Sequence, residues 1–279
     1  MPRRLYACTP TRLTTWLDCP RRYRFSYLDR PQPPKGPPWA HNSLGASVHT
    51  ALASWFRLAP SDRTPEAAGR LLDDAWLSEG FRDDDQSQQW RARAREMVVR
   101  YAGGLDPAHE PMGVERTVAT RTDVLALSGR IDRLDERVLG GETQLVVVDY
   151  KTGRHLLTTD DARSSLALAV YALAAERVLR RPCLRVELHH LPTGSVVVHD
   201  HTRESLQRHL GRAEDIGREA STADAAYHAG LEGPEMDRTF PPSVSPSCRW
   251  CDFVQSCPDG LAAVTPAPSW SGLADAGGA

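Results

Sequence analysis

The 279-residue chain predicts an α/β fold in which a mixed central β-sheet is flanked by helices. Three observations carry that expectation. Short β-rich runs cluster mid-chain, VERTVAT (114–120), VLALSGRIDRLDE (124–136) and TQLVVVDY (143–150). Before them, Leu44, Val48, Leu52, Trp55 and Phe56 recur at helical spacing. After them, residues 162–179 are Ala/Leu-rich and apolar nearly all round, which marks a helix buried against a sheet.

Taken in order, residues 11–28 suit a short helix and a turn at Cys19-Pro20, and PQPPKGPP (31–38) reads as an extended connector. A helix starts near Ser43, and two more are expected around 64–79 and 87–102. Gly140 and Gly141 supply the turn that joins the runs at 124–136 and 143–150 as a hairpin. LRVELHHL (184–191) and SVVVHD (195–200) read as further strands, and 202 to about 230 as a long polar helix. The expected organisation is an arginine-rich segment and linker (1–42), an α/β core with a helical insertion (43–240), a cysteine-rich segment (241–258) and a disordered tail (259–279).

The formal net charge of -2 gives no overall attraction to nucleic acid or anionic lipid. Only a local patch could bind either, and the first thirty residues carry one, with Arg3, Arg4, Arg12, Arg21, Arg22, Arg24 and Arg30 against Asp18 and Asp29. No secretory signal is visible and the longest apolar run, 166–175, is too short to cross a bilayer. A cytoplasmic location with no membrane partner is the expectation, and cysteines there serve as thiols or metal ligands rather than disulfides.

Lysine is scarce: Lys35 and Lys151 are the only two. Neither lies in a G-K-[ST] string, so the chain has no P-loop, and neither has serine three residues before it, which excludes the S-x-x-K of the serine β-lactamases. Lys151 instead follows a buried-looking strand in LVVVDYKTG, two positions after Asp149 and so on the same face. Asp132, across the hairpin, points to the same spot. A lone D-x-K is most often a surface ion pair, but two carboxylates converging from neighbouring strands repel unless a cation lies between them, which is the recipe for a Mg²⁺ or Mn²⁺ site. The lysine beside it can stabilise charge on a phosphodiester.

GRIDRLDE followed by VVVDYKTG resembles the core of the PD-(D/E)XK nuclease superfamily, in particular its RecB-type branch. LGASVHTAL (44–52) resembles that branch's upstream helical motif, and Glu115 falls in the usual first strand. The resemblance implies a restriction-endonuclease-like core, catalytic Asp132, Asp149 and Lys151, and a metal site formed by His49, Asp132, Asp149 and the carbonyl of Tyr150. Tyr171 matches the tyrosine of the following helix, with Arg21, Arg22 and Arg24 as further candidates for DNA contact. The glutamine usual four residues before that tyrosine is here Ala167, for which Ser164 or Ser165 are substitutes.

Cys248, Cys251 and Cys257 are spaced C-x₂-C-x₅-C, and three thiolates imply a fourth ligand, for which Cys19 is the best candidate. Both Cys19 and Cys257 precede proline. The context of Cys19 resembles that of iron-sulfur RecB-type nucleases, which implies a [4Fe-4S] cluster and an N/C-terminal cluster module; four thiolates equally suit Zn²⁺. Cys8 and Cys183 read as ordinary thiols, and His189 and His190 as structural. The expected activity is a metal-dependent exonuclease on single-stranded or end-frayed DNA in repair or recombination. The alternative is a weakly active DNA-binding subunit working with a separate helicase.

Overall fold

The computed structural model describes residues 5–273, so Arg3, Arg4 and residues 274–279 lie outside the described part. The chain divides into two compact units, each assembled from separated segments. The first takes 1–37, 119–129 and 204–268; the second takes 38–118, 130–203 and 269–279. Residues 119–129 and 204–240 thus group with the N-terminal and cysteine-rich segments.

In the first unit, β1 (Tyr6–Cys8) pairs in parallel with the start of β3 (Leu125–Leu139), and Cys8 faces Leu127 as a buried thiol. α1 (Pro10–Asp18) and α2 (Pro20–Tyr27) meet at Cys19, whose extended backbone ends one helix and caps the next. Proline at the first helical position costs nothing there, because that amide has no helical partner. α8 (Arg203–His228), α9 (Gly233–Thr239) and α10 (Pro258–Ala263) complete the unit. Trp16 packs edge-on against Tyr23 and Phe240, and Phe25 against Phe253, which ties α1 and α2 to the distant end of the sequence.

The second unit holds the sheet. β2 (Gly113–Arg121) pairs with β3, and the order continues β3, β4 (Glu142–Lys151), β5 (Arg185–His190), β6 (Ser195–Asp200). β3 and β4 form the expected antiparallel hairpin, β4 and β5 run parallel, and β5 and β6 are antiparallel, so the sheet is mixed. Val146, Val148 and Tyr150 of β4 lie in one apolar core with α3 (Ala40–Phe56), α4 (Pro65–Asp74) and α5 (Asp84–Gly103). The expected helix at 162–179 is two helices, α6 (Thr159–Ser164) and α7 (Leu166–Leu179), broken at Ser165, whose hydroxyl caps α7 by accepting from the Leu168 amide. α7 packs on β4 and β5.

The expected disordered tail is structured as far as it is described. Ser269 Oγ donates to the Gly80 carbonyl at 2.8 Å and Leu273 is buried in the core of the second unit. Composition pointed to disorder, but one buried leucine and these backbone contacts suffice to hold the strap. Gly80 sits at φ 86°, and a Cβ there would lie 2.3 Å from the Pro38 carbonyl oxygen. Gly80→Ala is therefore expected to destabilise the protein by at least about 2 kcal/mol, read as a lowered urea midpoint.

Candidate active site

The β3–β4 ladder runs to the pair Arg133 and Val148, so Asp132 and Asp149 are the next residues on the two strands, at the end of the sheet. Both oxygens of Asp132 are held: Oδ1 lies 3.3 Å from His49 Nδ1 on α3, and Oδ2 accepts from the Tyr150 amide at 2.9 Å. Lys151 Nζ lies 2.7 Å from Asp149 Oδ2. Glu115 of β2 joins them, since His49, Glu115 and Asp132 offer ligand atoms that all lie within 4.8 Å of one another. The order D…D-x-K and the histidine of LGASVHTAL thus come together around one spot.

Glu115 is the residue that sequence reasoning placed on a strand but left out of the metal site. Its φ of 49° is the left-handed region, which a non-glycine residue enters at a cost and keeps only when its surroundings demand it. No sequence signal announces that conformation; the only hint was an acid on the first core strand.

The electrostatics mark a cluster that wants a cation. Burial, and beyond it the Asp132 charge, push the Asp149 carboxyl up despite Lys151 and His49 nearby. Burial likewise raises Glu115, with the Asp132 charge adding to it and Arg130 opposing. Burial would lower His49, but its bond to Asp132 and the surrounding carboxylates raise it instead. Three part-buried carboxylates that repel one another, with an imidazole beside them, are the oxygen-rich donor set that suits Mg²⁺ or Mn²⁺. Tyr171 belongs to the same neighbourhood: burial, then the Asp149 and Asp132 charges, raise its hydroxyl, which bonds to the backbone of Arg130. Of the two serines near Ala167, Ser164 donates to the Asp160 carbonyl, whereas Ser165 shares a cavity of about 310 Å³ with Lys151 and His155.

Behind Tyr150 lies a buried charged network. Arg133 donates to the hydroxyls of Tyr101 (3.1 Å) and Tyr150 (3.3 Å), and its Nε lies 3.0 Å from Asp135 Oδ1. Arg137 bridges Asp135 and Glu187, both at 2.7 Å. His189, on β5, stands between Glu187 (2.9 Å) and the Tyr101 hydroxyl (2.7 Å), which bears out its structural reading; His190 bonds the Gly153 carbonyl at 2.8 Å and the Thr193 hydroxyl. Burial alone would raise Asp135 and Glu187, but for Asp135 the Arg133 charge, and for Glu187 the His189 and Arg137 contacts, hold the carboxyls low. Burial, reinforced by the Arg133 charge, lowers His189. Groups with depressed folded values stabilise above their unfolded values and lose that contribution as pH falls. Stability is thus expected to decline below about pH 6.5 as His189 resists protonation, and again below about pH 4. The first decline flattens in His189→Gln, as urea midpoints across that range will show.

In the first unit, Cys19, Cys248, Cys251 and Cys257 all line one cavity of about 420 Å³ with Arg22 and Phe253. The two Cys-Pro pairs do the same structural work. Cys19 Sγ accepts from the Arg22 amide and Cys257 Sγ from the Gly260 amide, each at 3.4 Å, as the caps of α2 and α10. Ser243 N–H also points to Cys19 Sγ and Ser245 N–H to Cys248 Sγ, both at 3.4 Å. Cys8 and Cys183 stand apart as buried thiols, pushed by burial up to about 11 and about 12.

The arginines expected at DNA are mostly committed elsewhere. Arg21 is buried and paired with Asp237 (2.8 Å) and Asp259, Arg24 pairs with Asp29 (3.3 Å), and Arg12 with Asp224 (2.8 Å) between the rings of Tyr6, Tyr23 and Tyr27. Arg21 and Arg24, whose own side chains are only 11% and 15% exposed, thus spend their guanidiniums on carboxylates of this chain. Arg22 makes no ion pair among the described residues and faces the cysteine cavity.

Among the described residues no helix is long and apolar enough to cross a membrane. No curated protein matches the chain significantly. A solved structure of a protein provisionally described as an exonuclease, from Eubacterium rectale, is 12% identical, with a TM-score of 0.53 over 83% of this chain and 85% of that one. The crystal structure of SSO0001 is 11% identical, with a TM-score of 0.38 over 94% of this chain and 89% of that one. The first shares the fold, and the second, at that score, adds nothing to it. The model of the PD-(D/E)XK nuclease superfamily matches residues 7–258, which include His49, Asp132, Asp149, Lys151 and all four cavity cysteines. With the mixed sheet and the acidic cluster at its end, that match places the chain in the PD-(D/E)XK nuclease superfamily.

Proposed function

We propose that the protein is a metal-dependent exonuclease of the RecB type, acting on single-stranded or end-frayed DNA in repair or recombination. The convergence of His49, Glu115 and Asp132 beside the Asp149–Lys151 pair carries this reading. His49, Glu115, Asp132 and Asp149, with the Tyr150 carbonyl, would hold Mg²⁺ or Mn²⁺. When bound, such an ion lowers the pKa of water and offsets charge on the phosphodiester. The chain's own groups do the rest. His49 and the Tyr150 amide fix the Asp132 carboxylate from both sides, and a carboxylate so fixed costs no reorganisation during the reaction. Lys151 keeps a half-exposed ammonium beside Asp149, placed to orient the attacking water and to stabilise the negative phosphate.

The test is cleavage of linear and circular single-stranded DNA by purified protein with Mg²⁺ or Mn²⁺. Linear strands are expected to be degraded, circles spared and EDTA to stop the reaction. Cleavage that persists in EDTA, or none with any divalent cation, sinks the reading. Ala167 supports a second one, a DNA-binding subunit that turns over slowly beside a helicase carried on another polypeptide. Tight single-strand binding without turnover would select it.

The four cysteines are proposed to hold a [4Fe-4S] cluster. All four line one cavity of about 420 Å³. A cluster supplies a cross-link between Cys19 and residues more than two hundred positions away, and the amides aimed at the sulfurs suit thiolates. About four irons and four sulfides per chain are expected after anaerobic purification, and Cys19→Ser should lose most of the iron and lower the thermal midpoint. Stoichiometric zinc in a colourless protein would overturn the assignment.

A further inference from the structure

A cavity of about 430 Å³ shares two of its walls, His49 and Glu115, with the acidic cluster. Its other lining includes Gly45, Thr50, Arg57 and Arg130. Gly45, His49, Ala53 and Arg57 follow at intervals of four on α3 or its C-terminal cap, so one helix face presents the imidazole and, two turns on, the guanidinium. At 1.5 Å per residue the two positions are roughly 12 Å apart along the axis. The small residues between them leave the face open.

Two guanidiniums here have little else to do. Arg57 is exposed and has no ion pair among the described residues. Arg130 places Nε 2.7 Å from Glu115 Oε2, its side chain is 70% exposed, and its terminal N–H groups have no protein partner among the described residues. The one carboxylate facing both is Glu115, whose other neighbours are the acidic cluster and its imidazole. Once that charge is shared with a cation, the cavity is left basic. Planar forks with free N–H groups and a threonine hydroxyl suit an oxyanion rather than an apolar ligand, and beside a nuclease site the oxyanion at hand is a phosphate.

We propose that this cavity seats a backbone phosphate of the nucleic-acid strand, one neighbouring the bond that is cut, through Arg57 and Arg130. The inference rests on the nuclease reading and adds a subsite to it. It makes Arg57 a determinant of how the strand is placed across the acidic cluster.

The experiment uses the full chain carrying Asp149→Ala, so that the strand stays intact, and short single-stranded oligodeoxynucleotides that each bear one neutral methylphosphonate at a different linkage. Affinity is read by fluorescence anisotropy with Arg57 present or replaced in Arg57→Ala. At one linkage near the end, neutralisation should weaken binding roughly fivefold when Arg57 is present and have no effect in Arg57→Ala, a discount appropriate to an exposed pair. The slope of log affinity against log salt should fall by about 0.7 in Arg57→Ala. Arg70→Ala, on an exposed position of α4 outside the cavity, should keep both behaviours. Absence of any Arg57-dependent linkage, or an equal change in Arg70→Ala, overturns the proposal. Cleavage by the chain with Asp149 intact is scored separately. A protein that cuts DNA but shows no such linkage sinks the subsite alone, and one that binds through it without ever cutting sinks the nuclease reading alone.

Discussion

Asp149→Ala and Lys151→Ala are each expected to lower the rate of the proposed DNA cleavage by about 10³-fold, the range seen when a positioned acid–base or electrostatic group is removed. The two residues occupy one face of the C-terminal end of β4, 2.7 Å apart, next to the Asp132 carboxylate. On the proposed reading, loss of Asp149 takes a carboxylate from the cation site, and loss of Lys151 takes away the positive charge that would face the phosphate. Neither change should unfold the protein. Asp149 is pushed up by burial and by Asp132, so it is held in place at a cost, and its replacement by alanine should leave the urea midpoint unchanged or slightly raised. That combination, activity gone and stability kept, separates a catalytic pair from a structural ion pair. Undiminished cleavage by either variant would falsify the assignment.

The largest loss of stability is expected from Arg133→Ala, about 3–5 kcal/mol, the range for removing one member of a buried ion pair. Arg133 is 2% exposed, and its departure leaves Asp135, at 1%, with Arg137 and His109 as its remaining ionic partners and the hydroxyls of Tyr101 and Tyr150 without their donor. Because the Tyr150 amide holds Asp132, loosening this tyrosine should also weaken cation binding. Replacing both partners by apolar residues, as in Arg133→Met with Asp135→Leu, should recover part of the loss, since no buried charge then remains unpaired. Urea denaturation reads both, and a loss for Arg133→Ala below about 1 kcal/mol would show that the network is not what holds this end of the sheet.

The sheet and the acidic cluster were legible because their signals are local. Alternation and glycine punctuation define β3 and β4, and a two-residue spacing places Asp149 and Lys151 on one face. The structured elements lie close to the expected ones, with the break at Ser165 missed because one capping hydroxyl decides it within an otherwise continuous Ala/Leu run. What stayed hidden depends on distant partners. Arg21 looked available to a strand until Asp237 and Asp259 were brought to it, and Arg12 until Asp224 was. Glu115 enters the site through a backbone conformation that composition does not encode. The division into two units was likewise invisible, because it is set by pairings such as Tyr6 with Leu125 rather than by any linker-like stretch.

The three-part make-up of the first unit also constrains how the protein is born. Synthesis proceeds from the N-terminus, so β1, α1 and α2 leave the ribosome long before α8 and the final cysteines exist. Cys19 must wait until residues 248–257 have emerged, and in that interval Trp16, Tyr23 and Phe25 lack the aromatic partners Phe240 and Phe253. Maturation of this half is therefore a late event by construction, one that a ribosome stalled before residue 240 cannot complete.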